Sequence, residues 1–416
     1  MGFLMALRRP SIAWLWVSQV LSSMGDYLYN LAVIWIAVRT AGSGAGIVAA
    51  AEAGSQLVFG LLGGVYADRW DRRAVMVVVD IIRAGTVGLI AIVALSGAIQ
   101  LWELVAAAIV IGSLGSLFDP ALQASLPTLA GDVPTLQATN GLMDVTARLA
   151  RALGPSMAGL LVLFMPLAQF FTLNAVSYVI SALAILSLGR HVIWKDAERM
   201  PATAGIKGIW SDIRGAITLV GRHKPLSWAI SLNGVMNLAW SASFVIGVPL
   251  LVNQVLKSNV GALGLIIGAY GVGNVISNLV MGSVHIRRPI PIIFVGKIIV
   301  GLGFLVLAWA HSLPLAVLAS AGAAFGGPMG DITMLTIMQT ELPVAQLGKV
   351  YSLRMVLANV GASLGLLAAV PMFAHVSVMV GISICAVLMI VLGVAGLLRF
   401  GLFYQHPLAS DLTPEA

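Results

Sequence analysis

Apolar residues in this chain gather into uninterrupted runs of about 20, the length that carries a helix across a bilayer core. The sequence predicts twelve such spans, near residues 12–38, 45–67, 74–96, 101–124, 137–163, 168–189, 226–252, 259–284, 291–310, 314–338, 347–373 and 376–402. Polar positions collect between the runs, so each gap is expected to be a loop at a membrane surface. No backbone group can go unpaired in lipid, and every span is therefore expected to be helical. The first run is full length and lacks a small-residue cleavage site, which argues against a cleaved signal peptide.

Residues 190–224 form the one long gap, carry seven Lys/Arg and divide the spans six plus six. The expected organisation is an N-terminal half over 1–189, a linker over 190–224, a C-terminal half over 225–402 and a tail over 403–416. Residues 206–220 of the linker could form a short amphipathic helix on the membrane surface. With the N-terminus inside, 19 of the 23 Lys and Arg fall on cytoplasmic segments and adjoining helix ends. Arg39 and Lys257 fall outside, and Arg83 and Lys297 lie within the third and ninth spans. This positive-inside asymmetry puts both termini in the cytoplasm.

Composition agrees with the pattern. The chain has 416 residues, is 59% hydrophobic and 9% charged, and has mean hydropathy +1.00, outside soluble globular usage. Its 45 glycines suit close helix packing in lipid. A net charge of +7 would point to nucleic acid in a soluble protein; here its distribution reports orientation, and no nucleic-acid partner is expected. The single cysteine, Cys385, excludes an internal disulfide and a Cys-based metal site, and is expected to be a small buried apolar residue. The glycine-rich stretch 261–273 lacks the G-K-[ST] ending of a phosphate loop. All six histidines fall at span ends or in loops. No ATP site, metal-ligand cluster, cofactor site or nucleophile–base pair is visible, so no enzymatic chemistry is expected.

Residues 63–76 place five charges, Asp68, Arg69, Asp71, Arg72 and Arg73, between two apolar runs. The stretch resembles the G-x-L-A-D-R-x-G-R-R motif between the second and third helices of the major facilitator superfamily. Gly64, Asp68, Arg69, Arg72 and Arg73 match it; Val65, Tyr66 and Asp71 depart from it. The halves also resemble each other. Gly282 to Pro289 follows the eighth span as the charged loop follows the second, and Leu126 to Leu161 recurs loosely as Leu342 to Leu367. The resemblance implies an all-α integral membrane protein with twelve transmembrane helices in two pseudo-symmetric six-helix halves, and a substrate between them.

Several segments are similar to the bacterial efflux branch, which holds enterobactin-type siderophore exporters and macrolide pumps. They are Ser22 to Asp26, Phe118 to Ala121, Leu126-Pro127 after the fourth span, and Ala138 to Asn140 opening the fifth. Ala150-x-x-x-Gly154-Pro155-x-x-Ala158-Gly159 is similar to the antiporter motif G-x-x-x-G-P-x-x-G-G, with alanine at the first and penultimate glycines. Gly154, Pro155 and Gly159 are then expected to pack helices closely. What the resemblance implies is a monomeric secondary transporter of the bacterial cytoplasmic membrane, in contact with its lipids. It would export an amphipathic or hydrophobic small molecule by alternating access, driven by protons. Gly64, Asp68, Arg69, Arg72 and Arg73 would gate the cytoplasmic side, with Asp68 capping the eleventh helix and Arg72 paired to an acid near the end of the fourth, where Asp119 is placed. Lysophospholipid transport and a non-transporting sensor or scaffold stay open as alternatives.

Five acids fall inside spans: Asp26, Glu52, Asp80, Asp119 and Asp331. Each costs about 2.5–3.5 kcal/mol on insertion scales and needs a reason. Asp26 is about 14 residues into the first span, about 21 Å at 1.5 Å per residue, near mid-bilayer. Asn30 lies one turn on. A proton or cation site lining a cavity is one account of Asp26, and a structural carboxyl is the other. Asn233, Asn237 and Ser241 repeat that polar stripe in the seventh span beside Trp240, as substrate contacts or as packing contacts. Glu52, reachable from the outer side, is the second coupling candidate. Asp80 and Arg83, three apart, are expected to neutralise each other. Asp119 and Asp331 occupy similar places near the cytoplasmic ends of the fourth and tenth spans, as gating residues. Arg148 and Arg151 could bridge Asp144 or Asp119, or bind an anionic cargo group.

Overall fold

The computed structural model describes residues 6–66, 71–97, 99–162, 164–188, 214–215, 217–221, 224–284, 288–341 and 344–401. Twelve helices of 17 residues or more stand among them. They are α1 Pro10–Ala41, α2 Ala45–Tyr66, α3 Arg72–Leu95, α4 Leu101–Ala130, α5 Val133–Leu161, α6 Leu167–Ser187, α7 Lys224–Trp240, α8 Val260–Ser283, α9 Pro289–Ala308, α10 Leu313–Glu341, α11 Val344–His375 and α12 Val378–Gly396. Ten segments are long and apolar enough to cross a membrane; the first, Pro10–Gly60, contains α1 and most of α2 on either side of the turn Gly42–Gly44. The protein is therefore a multi-pass membrane protein. The polar exception is α5, which carries Asp144, Arg148 and Arg151.

Helix ends follow local chemistry. Asp71, Asp132, Asn259 and Ser377 stand as N-caps of α3, α5, α8 and α12, each accepting a backbone N–H of the first turn. Pro10 and Pro289 occupy first-turn positions, where the missing N–H costs nothing. The fourth helix departs from expectation: it runs through Pro120 and Pro127 to Ala130, so Leu126-Pro127 lies inside it rather than after it. It stops at Gly131, whose φ of 70° is the left-handed conformation that ends a helix. Beyond Trp240, α7 widens to π turns over Ser241–Gly247 and Leu251–Val255, with Val248–Leu250 and its Pro249 between them. Most of the expected linker, including the larger part of 206–220, lies outside the described residues.

The helix pairs repeat between the halves. In the first half α2 packs on α4, α3 on α6 and α4, and α1 on α5 and α6; in the second, α8 on α10, α9 on α12 and α10, and α7 on α11 and α12. Across the halves, α2 meets α11 and α5 meets α8, an exchange of second and fifth positions that a two-fold relation requires. At the α5–α8 crossing, a Cβ on Gly264 would stand 2.0 Å from the Cα of Gly159, so only glycine permits this approach. At the α2–α11 crossing, Gly46 faces the carbonyl of Leu366 at 2.7 Å in the same sense.

Both crossings lie at one end of the molecule, and the apolar cores show the same polarity. One large core draws on both halves there, joining Leu31, Val38, Val48, Leu251, Leu263 and Ala369. At the other end each half keeps its own core: Leu15, Met76, Leu126 and Ile185 in the first, Leu226, Ile290, Met338 and Val350 in the second. That second end begins α1, α3, α7 and α9 and carries Arg9, Arg72, Arg73, Lys224 and Arg288. Among the described residues the halves thus share a core at one end and keep separate cores at the basic end. On the perimeter, α3 and α6 expose Ile81, Leu89, Ile92, Val176, Leu183 and Leu186, a surface stable against lipid and not against water.

Candidate functional site

The first-half site is built where α1 and α6 touch. A Cβ at Gly25 would stand 2.4 Å from Asn174 Oδ1 and 2.6 Å from Ser177 Oγ, so the absence of a side chain brings α1 against α6. The next residue, Asp26, is half-buried and accepts a 2.5 Å hydrogen bond from the hydroxyl of Tyr178, itself fully buried. A hydroxyl–carboxyl contact of that length is at the short end of O–H···O hydrogen bonds. Asn174 is also fully buried and its Nδ2 has no hydrogen-bond partner. Asn174, Ser177, Tyr178 and Ser181 form an i, i+3, i+4, i+7 stripe on α6. That stripe was the one signal by which the sequence could have revealed the partner of Asp26.

Arg83 of α3 is the cation of this site. Its guanidinium lies 5.3 Å from the Tyr178 ring centroid and 5.6 Å from that of Phe118, within cation–π distance of each ring. Gly115 leaves the room: a Cβ there would stand 2.5 Å from Arg83 Nη2. The expected pairing of Arg83 with Asp80 is not formed. Asp80 is fully buried, and neither of its oxygens makes a hydrogen bond, its polar neighbours being Ser181 and Arg83. The two rings hold the guanidinium away from its own helix, which is why the i, i+3 spacing misleads here. Glu52, half-buried on α2, has Asp26 and Arg83 as charged neighbours. Asn30 is exposed one turn beyond Asp26.

The second half offers aromatic rings instead. Trp240 of α7 donates from Nε1 to the Tyr270 hydroxyl of α8 at 2.8 Å. It also stacks on Phe244 with centroids 5.1 Å apart and planes at 22°. Phe244 lies 4.3 Å from Tyr270 and meets Phe304 edge-on at 6.3 Å. The π turn that carries Phe244 touches both α1 and α2, bringing this cluster to the helices of Asp26 and Glu52. Asn233 is buried, and Asn237 donates its amide to the Asn233 carbonyl at 2.8 Å, within its own helix.

Toward the basic end, Asp331 accepts a 2.6 Å hydrogen bond from Arg354 of α11; the acid is 60% exposed and the guanidinium 12%. Buried Lys297 of α9 has both as charged neighbours. Arg72 does not pair with Asp119, which is exposed. Its Nη1 donates to the carbonyl of Ala124 at 2.7 Å. Because α4 continues to Ala130, the turn nearest Arg72 lies beyond Asp119. Arg73 donates to the carbonyls of Ile185 and Leu186 at the end of α6. Asp68 and Arg69 lie outside the described residues, as do the side chains of Gly64's turn, Asp144, Arg148, Arg151 and Pro155. Gly154 faces the ring of Tyr27, and Gly159 faces Gly264. Among the described residues no group of three His, Cys, Asp or Glu is placed to hold a metal ion.

The family model of the Major Facilitator Superfamily matches residues 15–366. Among curated proteins, the chain is 26% identical over 400 residues to the uncharacterized MFS-type transporter YfiS of Bacillus subtilis, covering 92% of this chain and 91% of that one. It is 26% identical to the multidrug efflux pump Tap of Mycolicibacterium fortuitum over 84% and 85% of the two chains. Against the enterobactin exporter EntS of Citrobacter koseri it is 27% identical over 72% and 70%. Two solved structures share the fold: the nucleoside transporter NupG, with TM-score 0.70, 14% identity and coverage of 95% and 100%; and a bacterial homologue of ferroportin in an inward-facing state, with TM-score 0.69, 15% identity and coverage of 93% and 98%.

Proposed function

Since the chain belongs to the major facilitator superfamily and is a transporter rather than an enzyme, we propose that it exports an amphipathic or hydrophobic small molecule from the bacterial cytoplasm by alternating access coupled to inward proton flow. The observation that carries this reading is the polarity of the cores: one core shared by both halves at one end, two separate cores at the basic end. A molecule held in that arrangement receives cargo from the basic side, which faces the cytoplasm by the positive-inside asymmetry. Relatives named as efflux proteins support export over import.

Cargo sits between the halves, with Asp26 and Asn30 on one side and Asn233, Asn237 and Trp240 on the other. Asp26 carries the coupling proton and Glu52 is its second carrier. Tyr178 and Arg83 position Asp26, the first by its hydrogen bond and the second by its charge. The motif residues Gly64, Asp68, Arg69, Arg72 and Arg73, with Asp119 and Asp331, close the basic end when the cavity opens outward. In the present state Arg72 and Arg73 hold helix ends within the first half, leaving the second half free to move away. The protein acts as a monomer in the cytoplasmic membrane with both termini inside.

Inside-out vesicles containing the protein test this reading. A panel of drug-like and siderophore-like compounds is added, and proton movement is followed with a pH-sensitive dye. At least one compound is expected to be accumulated at the expense of the proton gradient. Accumulation that is indifferent to dissipation of the gradient overturns proton coupling.

A further inference from the structure

Tyr29 of α1 is 1% exposed, and its hydroxyl has no hydrogen-bond partner. A buried phenol ordinarily finds one. Its ring is held in the shared core, edge-on to Phe171 with centroids 5.9 Å apart. Two carboxyls are its charged neighbours, Glu52 and Asp26. Counted from the joined end, Glu52 lies 7 residues into α2 (52 − 45), Tyr29 12 into α1 (41 − 29) and Asp26 15 into α1 (41 − 26). At 1.5 Å per residue these depths are about 10, 18 and 22 Å. An acid, an unpartnered hydroxyl and a second acid thus descend in order from the joined end to the site.

The other charged groups of this region lie elsewhere around Asp26. Arg83 of α3 is held between the rings of Phe118 and Tyr178, Asp119 is on α4, and Tyr178 of α6 is already bonded to Asp26. From α7 the aromatic cluster brings no charge, and the charged side chains of α5 lie outside the described residues. Tyr29 is therefore the described donor whose residue lies between the two acids in depth and has both as charged neighbours.

We propose that Tyr29 relays protons from Glu52 to Asp26, so that the proton enters from the joined end while cargo enters from the basic end. This rests on the proton-coupled reading above. In the step, the O–H bond of protonated Glu52 breaks and its proton forms a new O–H bond at the Tyr29 oxygen. The original Tyr29 proton passes to a carboxylate oxygen of Asp26. Glu52 is left as a carboxylate, Asp26 becomes the acid, and Tyr29 is unchanged. No hydrogen bond joins the three in this state, so a bridging water or a rotation of either carboxyl side chain completes the chain.

The full-length protein, reconstituted in one orientation in liposomes, is given a pH jump on the side of the joined end, and carboxyl protonation is followed by time-resolved infrared difference spectroscopy. The Asp26 band is assigned with Asp26→Asn and the Glu52 band with Glu52→Gln. Tyr29→Phe keeps the ring packed on Phe171. It is expected to slow protonation of Asp26 from the joined side at least tenfold while Glu52 responds at the wild-type rate. Glu52→Gln should slow Asp26 equally. A jump applied at the basic end should give the same Asp26 rate in wild type and Tyr29→Phe, which a merely structural loss would not. Unchanged joined-side protonation of Asp26 in Tyr29→Phe overturns the relay and leaves proton coupling standing. An Asp26 that takes up no proton from either side overturns the coupling reading and the relay with it.

Discussion

The two halves share a scaffold whose matching positions carry opposite charges at one place and the same acid at another, in different surroundings. The ninth residue of α3 is Asp80 (80 − 72 + 1), and the ninth of α9 is Lys297 (297 − 289 + 1). The nineteenth of α4 is Asp119 (119 − 101 + 1), and the nineteenth of α10 is Asp331 (331 − 313 + 1). In the first half four acids surround one arginine, whose guanidinium is engaged by aromatic faces. In the second, the acid is paired to Arg354 and the interior turns aromatic around Trp240. A duplicated bundle can therefore divide labour, one half holding protons and the other holding the apolar body of the cargo. Each prediction below tests that division.

The largest effect is expected from Asp26→Asn. Proton-driven accumulation in vesicles should fall to background, more than tenfold, while exchange of cargo down its own gradient stays measurable. Accumulation that survives would move coupling to Glu52 and blur the distinction between the halves. Next comes Gly264→Val. The added side chain meets the α5 backbone at Gly159, and overpacking of this kind costs about 1–3 kcal/mol. Spin-label distances across the joined end should lengthen and transport should fall; an unchanged distance would show that this crossing does not hold the halves together.

Trp240→Ala sharpens the comparison from the opposite side. Loss of the ring stacked on Phe244 should weaken cargo binding about tenfold, about 1.4 kcal/mol. The pH dependence of transport should keep its midpoint, as measured by binding and proton flux in the same vesicles. A shifted midpoint would mean that the second half also carries coupling. A smaller change is expected from Asp331→Asn. This acid is 60% exposed, so its pair with Arg354 contributes about 0.2–1 kcal/mol. Distances between the halves at the basic end should shift slightly while binding is unaffected.

The smallest effect is at Asp132, which caps α5 and bridges to Arg9 at 2.5 Å. Hydrogen bonds from Thr135, and then the Arg9 charge, hold its carboxyl below the ordinary 3.8. A group whose folded value is lowered stabilises at pH above its unfolded value and loses that contribution as pH falls through the folded one. Melting curves of Asp132→Asn should thus begin to approach wild type only as pH falls below the ordinary 3.8, and converge once pH has passed below the lowered native value, where the native carboxyl is protonated as well. A difference that persists into strong acid would show that the side chain acts by shape alone.

Sequence alone determined what lipid imposes. Apolar runs must be helical, because an unpaired peptide group in hydrocarbon costs several kcal/mol. The charged stretch at residues 68–73 marks a break between two apolar runs, and the Lys/Arg asymmetry implies a side. The depth of Asp26 followed from counting along one helix. What lies around Asp26 did not follow, because its partner Tyr178 is 152 residues away and only the docking of α1 on α6 at Gly25 joins them. Local spacing misled at Asp80 and Arg83: the i, i+3 rule assumes water around both, while Tyr178 and Phe118 from other helices offer the guanidinium a better place. Arg72 reaches a backbone carbonyl rather than Asp119 because α4 runs through two prolines, which helix-breaking preference does not anticipate when neighbouring helices pack around it. Solvent preference acts residue by residue and can be counted along a chain. The meeting of Tyr178, Arg83 and Asp26, and the burial of an unpartnered Tyr29 hydroxyl with two acids as charged neighbours, depend on which helix faces which, and only close packing in three dimensions decides that.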